Sequence, residues 1–100
     1  MLFRSIPITT PWKDEGLQGA LYTFLQKGDT LPMHSHDEAT NHITIVVRGS
    51  IVASGDNWQE TGTPGNILSF VAGMPHEIVA QEDDTKILNI IKRISVSSVP

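Results

Sequence analysis

Cysteine is absent from the 100-residue chain. Disulfides, thiolate ligands and cysteine nucleophiles are therefore excluded, and any metal must be held by nitrogen or oxygen. Positive charge is scarce: seven Lys+Arg against eleven Asp+Glu give a net charge of −4. With no basic cluster, a nucleic-acid-binding surface is not expected. No apolar run approaches the roughly 18–20 residues of a membrane span. The first residues, Met-Leu-Phe-Arg-Ser-Ile-Pro, lack the basic-then-apolar order of a signal peptide. A cytoplasmic location without membrane partners is the expectation. Helical spacing of apolar residues is missing as well, which leaves strands to build the core.

A hydrophobic content of 39 % and a charged content of 18 % fit a globular chain. One domain is expected over residues 1–100, the length leaving no room for a second core. Leu2 to Ile8 reads as an edge strand, and Trp12 as a hydrophobic lid before a Lys13-Asp14-Glu15-Gly16 turn. Gly19 to Lys27 reads as a strand, rich in aromatic and β-branched residues. The apolar run Ile43–Val47 breaks at Arg48-Gly49-Ser50 and resumes at Ile51, giving one bent strand or two joined by a turn. Ser54 to Asn57 forms a hairpin turn, and Gly62-Thr63-Pro64-Gly65 another. Short strands follow at Asn66–Phe70 and His76–Ala80. Gln81 to Asp84 is a polar turn, and Thr85–Arg93, apolar on both faces as for a strand buried between layers, is the last strand. The tail Ser95 to Pro100 has little to hold it and is expected to fray or pair with a neighbour. Strands about ten residues apart with Gly/Pro/Asp turns predict an all-β sandwich or barrel.

Histidine is the residue whose placement is informative. His34, His36 and His42 lie between Gly28 and Gly49, and His76 lies between Gly65 and Gln81. His34 and His36 are two apart, so on an extended strand their side chains share a face, roughly 6.5–7 Å apart. That separation lets both rings lean onto one ion at about 2.0–2.1 Å. His42, Thr44 and Val46 share one face of their strand, and His76, Ile78 and Ala80 share one face of theirs. The four imidazoles are thus candidate ligands of one divalent transition metal: His34, His36, His42 and His76. Imidazole suits Fe, Ni, Cu and Zn, with Mn a further candidate, and spacing does not choose among them. Glu38 rivals His42 as the fourth ligand, although a solvated loop charge is its expected role.

Gly28, His34-Ser35-His36, His42 and Gly49 together resemble the first conserved motif of the cupin superfamily. Gly65 to Gly73, followed by Met74-Pro75-His76, resembles the second. The resemblance runs from about Leu17 to Lys92, with motif one over residues 28–49 and motif two over 65–81. It implies a double-stranded β-helix, or small jelly-roll barrel, with a metal site inside. The sequence departs from the usual pattern at four places, one of them a gap after His36 that is one residue longer than usual. His42 stands where the motif usually carries glutamate, Val71 where it carries proline, and Ala80 at a later asparagine position. The change at His42 converts a three-His, one-Glu site into a four-His site that leaves the full +2 charge on the ion.

Catalytic residues are not identified by the sequence, but polar strand residues able to reach the cavity are Tyr22, Thr44, Arg48, Asn89 and Lys92. Arg48 shares the parity of His42 and is a candidate for orienting an anionic substrate; a strand-end surface arginine is its alternative role. The function expected from the resemblance is that of a metal-dependent enzyme acting on a small oxygenated molecule. Its chemistry would be of the dioxygenase type, or of the isomerase or lyase type on a sugar acid. The alternative is a non-catalytic metal- or sugar-binding cupin module. A core this small also favours a homodimer that covers apolar strand faces.

Overall fold

The computed structural model describes residues 5–14, 17–34, 40–70 and 74–93. These form nine strands and no helix: β1 (Ile8–Asp14), β2 (Leu17–Phe24), β3 (Thr30–His34), β4 (Thr40–Arg48), β5 (Ile51–Ser54), β6 (Gln59–Gly62), β7 (Ile67–Phe70), β8 (His76–Ala80) and β9 (Thr85–Arg93). Two sheets result, with strand orders β1-β2-β9-β4-β7 and β3-β8-β5-β6. Every described pairing is antiparallel.

Alternation explains why these strands form a sandwich. In the larger sheet the register aligns Ala20 with Asn89, Tyr22 with Ile87, and Val46 with Ile87. Phe24, Val46, Leu68, Phe70 and Ile87 therefore project to one side. There they meet Ile51, Ala53, Ile78 and Ala80 from the smaller sheet, in one buried cluster. Burying each large aliphatic or aromatic side chain contributes about 1.5–3 kcal/mol, and this shared interior holds the sheets together.

The break at Gly49 resolves into two strands, not one bent strand. β4 belongs to the larger sheet and β5 to the smaller, so the chain changes layer there. Gly49 makes the crossing with a positive φ of 77°. Of the edge strand expected over Leu2 to Ile8, residues 2–4 lie outside the described residues and residues 5–7 form no strand; the edge strand that is described is β1. It begins at Ile8, where the expected strand ends, and continues through Pro11 and Lys13 into Asp14. Pro11 is accommodated because β1 is an edge strand that pairs with β2 alone. β9 also differs from the expectation of burial on both faces. Ile87 is fully buried, whereas Leu88 and Ile90 on the opposite face are only half-buried. The tail from Ile94 to Pro100 lies outside the described residues.

Asp29 fastens the turn that leads into β3. Its carboxylate accepts from Ser5 Oγ at 2.7 Å and from the Gln26 amide at 3.1 Å. Burial raises the Asp29 carboxyl, but these bonds and the Ser5 and Leu25 amides outweigh it and hold its pKa below the ordinary value. A carboxylate depressed on folding stabilises the protein above its unfolded pKa, and that stabilisation is lost as pH falls through the folded one. Asp29→Asn is therefore expected to cost roughly 1–3 kcal/mol near neutrality. It should also flatten the decline in stability below about pH 4. Urea melts at a series of pH values check both, and an unchanged acid limb would remove Asp29 from the account.

Candidate functional site

His42 lies on β4 and His76 opens β8, so the two come from different sheets. Their exposures are 2 % and 1 %, and their ring centroids stand 5.1 Å apart. Phe70 sits beside both. It lies opposite His42 in the β4–β7 register, with ring centroids 5.1 Å apart, and it stacks on His76 at 4.1 Å. The histidine pair thus has an aromatic wall on a strand that neither residue occupies.

Neighbouring acceptors orient the rings. The Met74 carbonyl, which can only accept, lies 3.0 Å from His76 Nδ1. That nitrogen therefore carries a proton and donates it to the carbonyl. On the other ring, Thr44 donates its hydroxyl to Asn89 Oδ1 at 2.7 Å. The Thr44 oxygen is then an acceptor for the N–H of His42 Nε2 at 3.3 Å. Both imidazoles are thus buried, and each has one ring nitrogen engaged with a neighbouring oxygen. This is the support that metal-ligating histidines ordinarily receive. The two residues fit a divalent metal.

The β3–β8 pairing shifts register between Leu31 and His34, and the irregularity sets His34 directly across from His76 along the backbone. His36 and the rival ligand Glu38 lie outside the described residues. Among the described residues, no group of three or more His, Cys, Asp or Glu gathers, so no carboxylate joins the pair.

Of the polar candidates, Thr44 and Asn89 are buried beside His42, and Tyr22 is half-buried on the same inner face. Arg48 is not at the site. The β4–β9 register shifts between Val46 and Arg48, which breaks the parity with His42. Arg48 instead pairs with Asp84 at 3.1 Å and is two-thirds exposed. Lys92 is exposed on the face of β9 opposite to Asn89. The Met74 carbonyl and the Phe70 stack were not legible as site features. Asn89 carried a usable signal, a polar residue at an inward position between Ile87 and Ile91.

The backbone arrangement has close counterparts among solved structures. An RmlC-like cupin protein from Desulfovibrio desulfuricans superposes with a TM-score of 0.77 at 25 % identity, over 87 % of this chain and 82 % of that one. A cupin superfamily protein from Desulfitobacterium hafniense gives 0.73 at 14 % identity, over 95 % and 84 %. The fold is that of the cupin superfamily. KdgF from Halomonas sp. also superposes, with a TM-score of 0.68 at 18 % identity over 97 % of this chain and all of that one. No protein-family model matches the sequence, and no curated protein is significantly similar to it.

Proposed function

We propose that this cupin holds one divalent transition metal through His42 and His76, joined by His34 and His36, and acts on a small oxygenated molecule. The observation that carries this reading is the pair of buried imidazoles 5.1 Å apart, oriented by Met74 and by Thr44 with Asn89. When bound, the metal would supply Lewis-acid polarisation of a substrate oxygen, as in an isomerase or lyase, or electron transfer with dioxygen. Spacing and fold leave Fe, Mn, Ni, Cu and Zn as candidates. The chain's own residues provide the rest. Phe70 shields the rings from water, and Thr44 keeps the His42 plane fixed.

One observation favours a second reading, a non-catalytic metal- or sugar-binding module: no carboxylate accompanies the pair among the described residues to serve as acid or base. Loading the protein with each metal and following dioxygen uptake, and separately the ultraviolet absorbance of unsaturated uronates, distinguishes the two. Catalytic consumption of either substrate supports the enzyme. Stoichiometric binding without consumption, across all metals and both assays, supports the module.

The assembly proposed for this cupin is a homodimer. The outer face of the larger sheet presents Ile8, Leu17, Val47 and Ile67, between 38 % and 61 % exposed, around the half-buried Leu88 and Ile90. A contiguous apolar sheet face of this kind is what a second copy covers. Light scattering at micromolar concentration should report twice the 11.0 kDa chain mass. A monomer mass there would count decisively against dimerisation. The proposed setting is the cytoplasm, without a nucleic-acid or membrane partner; no helix among the described residues is long and apolar enough to cross a membrane.

A further inference from the structure

The sandwich is closed along one side and open along the other. β1 and β3 are the edge strands of the first side, and the chain leading into β1 links them, the Thr30 amide donating to the Ser5 carbonyl at 3.0 Å. β7 and β6 are the edge strands of the second side. They diverge from the Thr63–Asn66 turn, where Asn66 Oδ1 accepts from the Thr63 amide at 2.9 Å and from its hydroxyl at 3.1 Å. Beyond that turn no described pairing joins them.

Two cavities follow this seam, of about 520 and 280 Å³, and Glu60 and Ser69 border both. Thr61 lies beside Glu60 in the larger one, and Ile67 and Leu68 beside Ser69. Consecutive residues point to opposite faces of a sheet, so the larger cavity runs along the edge of each strand, where unpaired backbone N–H and C=O groups lie. Trp58, Phe70 and Met74 wall the smaller cavity, and the Trp58 and Phe70 rings stand 6.0 Å apart.

The side chains turned into the seam form two rows. Glu60 is opposite Ala53, and Gly62 opposite Ile51; both partners are fully buried, so Glu60 points inward. Trp58, two residues earlier, packs on the core, which holds Leu68 and Phe70 of β7. The first row is therefore apolar, with Trp58, Phe70 and Met74. The second, roughly 6.5–7 Å along, sets Glu60 beside Leu68. Among the described residues that line the two cavities there is no lysine or arginine.

We propose that the seam is a peptide-docking site, in which an extended segment of another protein adds to β7 as a further antiparallel strand. Antiparallel is the direction of every described pairing, and it sets the order of side chains. The segment carries a large apolar residue for Trp58, Phe70 and Met74 and, two positions later, a lysine or arginine for Glu60. A second copy of this chain does not supply that pattern. Its own β7 edge reads Ile67-Leu68-Ser69-Phe70, with no cation. A carboxylate turned inward at a sheet edge also opposes edge-to-edge pairing of like copies.

Fluorescence polarisation with a dye-labelled Thr-Leu-Thr-Lys-Thr peptide tests it. A dissociation constant below about 1 mM is expected. The same peptide with glutamate in place of lysine should bind at least about fivefold more weakly. Glu60→Lys, a substitution at an exposed position, should reverse that order. Glu82→Lys, the same change of charge in the exposed turn before β9, should preserve it. N-methylation at alternate residues removes backbone donors, and at least one of the two methylated frames should lose binding by about tenfold. No binding below about 1 mM overturns the proposal. So does an order indifferent to Glu60→Lys, one altered equally by Glu82→Lys, or full binding by both methylated peptides. A peptide that halves the mass in light scattering would mean that a second copy occupies the seam, which also overturns it. Charge-dependent binding at unchanged mass supports it.

Discussion

Elemental analysis of protein supplied separately with Fe, Mn, Ni, Cu and Zn is expected to return close to one ion per chain for at least one of them. His76→Ala should then lower affinity for that metal by at least about 100-fold. The argument is one of lost donors. A neighbour that only orients a ligand is worth about 10–100-fold, and His76 is itself proposed to donate, from a ring already fixed by the Met74 carbonyl. His42→Ala should act in the same direction, since it also removes a buried imidazole. His42→Glu should retain metal while reducing the effective charge on it. Binding should stabilise the fold by mass action, about 2.7 kcal/mol at a hundredfold excess over the dissociation constant. The gain in melting temperature should vanish in the alanine variants. Glu38→Ala is expected to leave uptake unchanged. If Glu38→Ala abolishes uptake and His42→Ala preserves it, the centre is three histidines and a carboxylate, and His42 is only a buried core residue. Uptake far below one for every metal would refute the centre altogether.

Gly49→Ala is expected to destabilise the protein by roughly 2–5 kcal/mol, from backbone strain and overpacking together. Gly49 has a φ of 77°, a region that a side chain tolerates poorly. A Cβ there would also collide with Thr85 Oγ1 and lie 3.0 Å from Thr85 Cα. Thr85 cannot readily yield, being fully buried and bonded to the Glu82 carbonyl at 2.9 Å. Gly65→Ala is the matched control. Gly65 has a φ of 94°, but nothing lies within 4 Å of its would-be Cβ, so only the strain remains. Denaturant melts should rank Gly49→Ala well below Gly65→Ala. Equal losses would show that Thr85 gives way. Because Gly49 is where the chain leaves the sheet of His42 for the sheet of His76, the substitution should also weaken metal uptake.

The strand pattern was largely legible because side-chain direction along a strand is local. His76–Ala80 and Thr85–Arg93 have the boundaries that the apolar runs and polar turns indicate. The inward parity of His42 with Thr44 and Val46 follows from the same period of two, and all three are buried. The continuation of the edge strand beyond Ile8 was not legible because Pro11 and the charged Lys13-Asp14 read as a stop. At a sheet edge, neither a missing N–H nor an exposed lysine prevents pairing with β2. Arg48 was misread for a related reason. Parity fails at a register shift, and nothing local in Val46-Val47-Arg48 announces one.

The sequence by itself determined the chemistry available: four imidazoles, no thiolates, and short strands whose inward faces carry His42 and His76. Only the tertiary structure decided how they are used. His42 and His76 lie on different sheets, and the sandwich interior brings their rings to 5.1 Å with Phe70 against both. Which nitrogen of each ring is engaged depends on an acceptor two residues away, and for His42 also on Asn89 across the sheet. Distances between layers and the partners of buried polar groups are set by packing between segments far apart in the chain, and alternation along one strand carries no record of them.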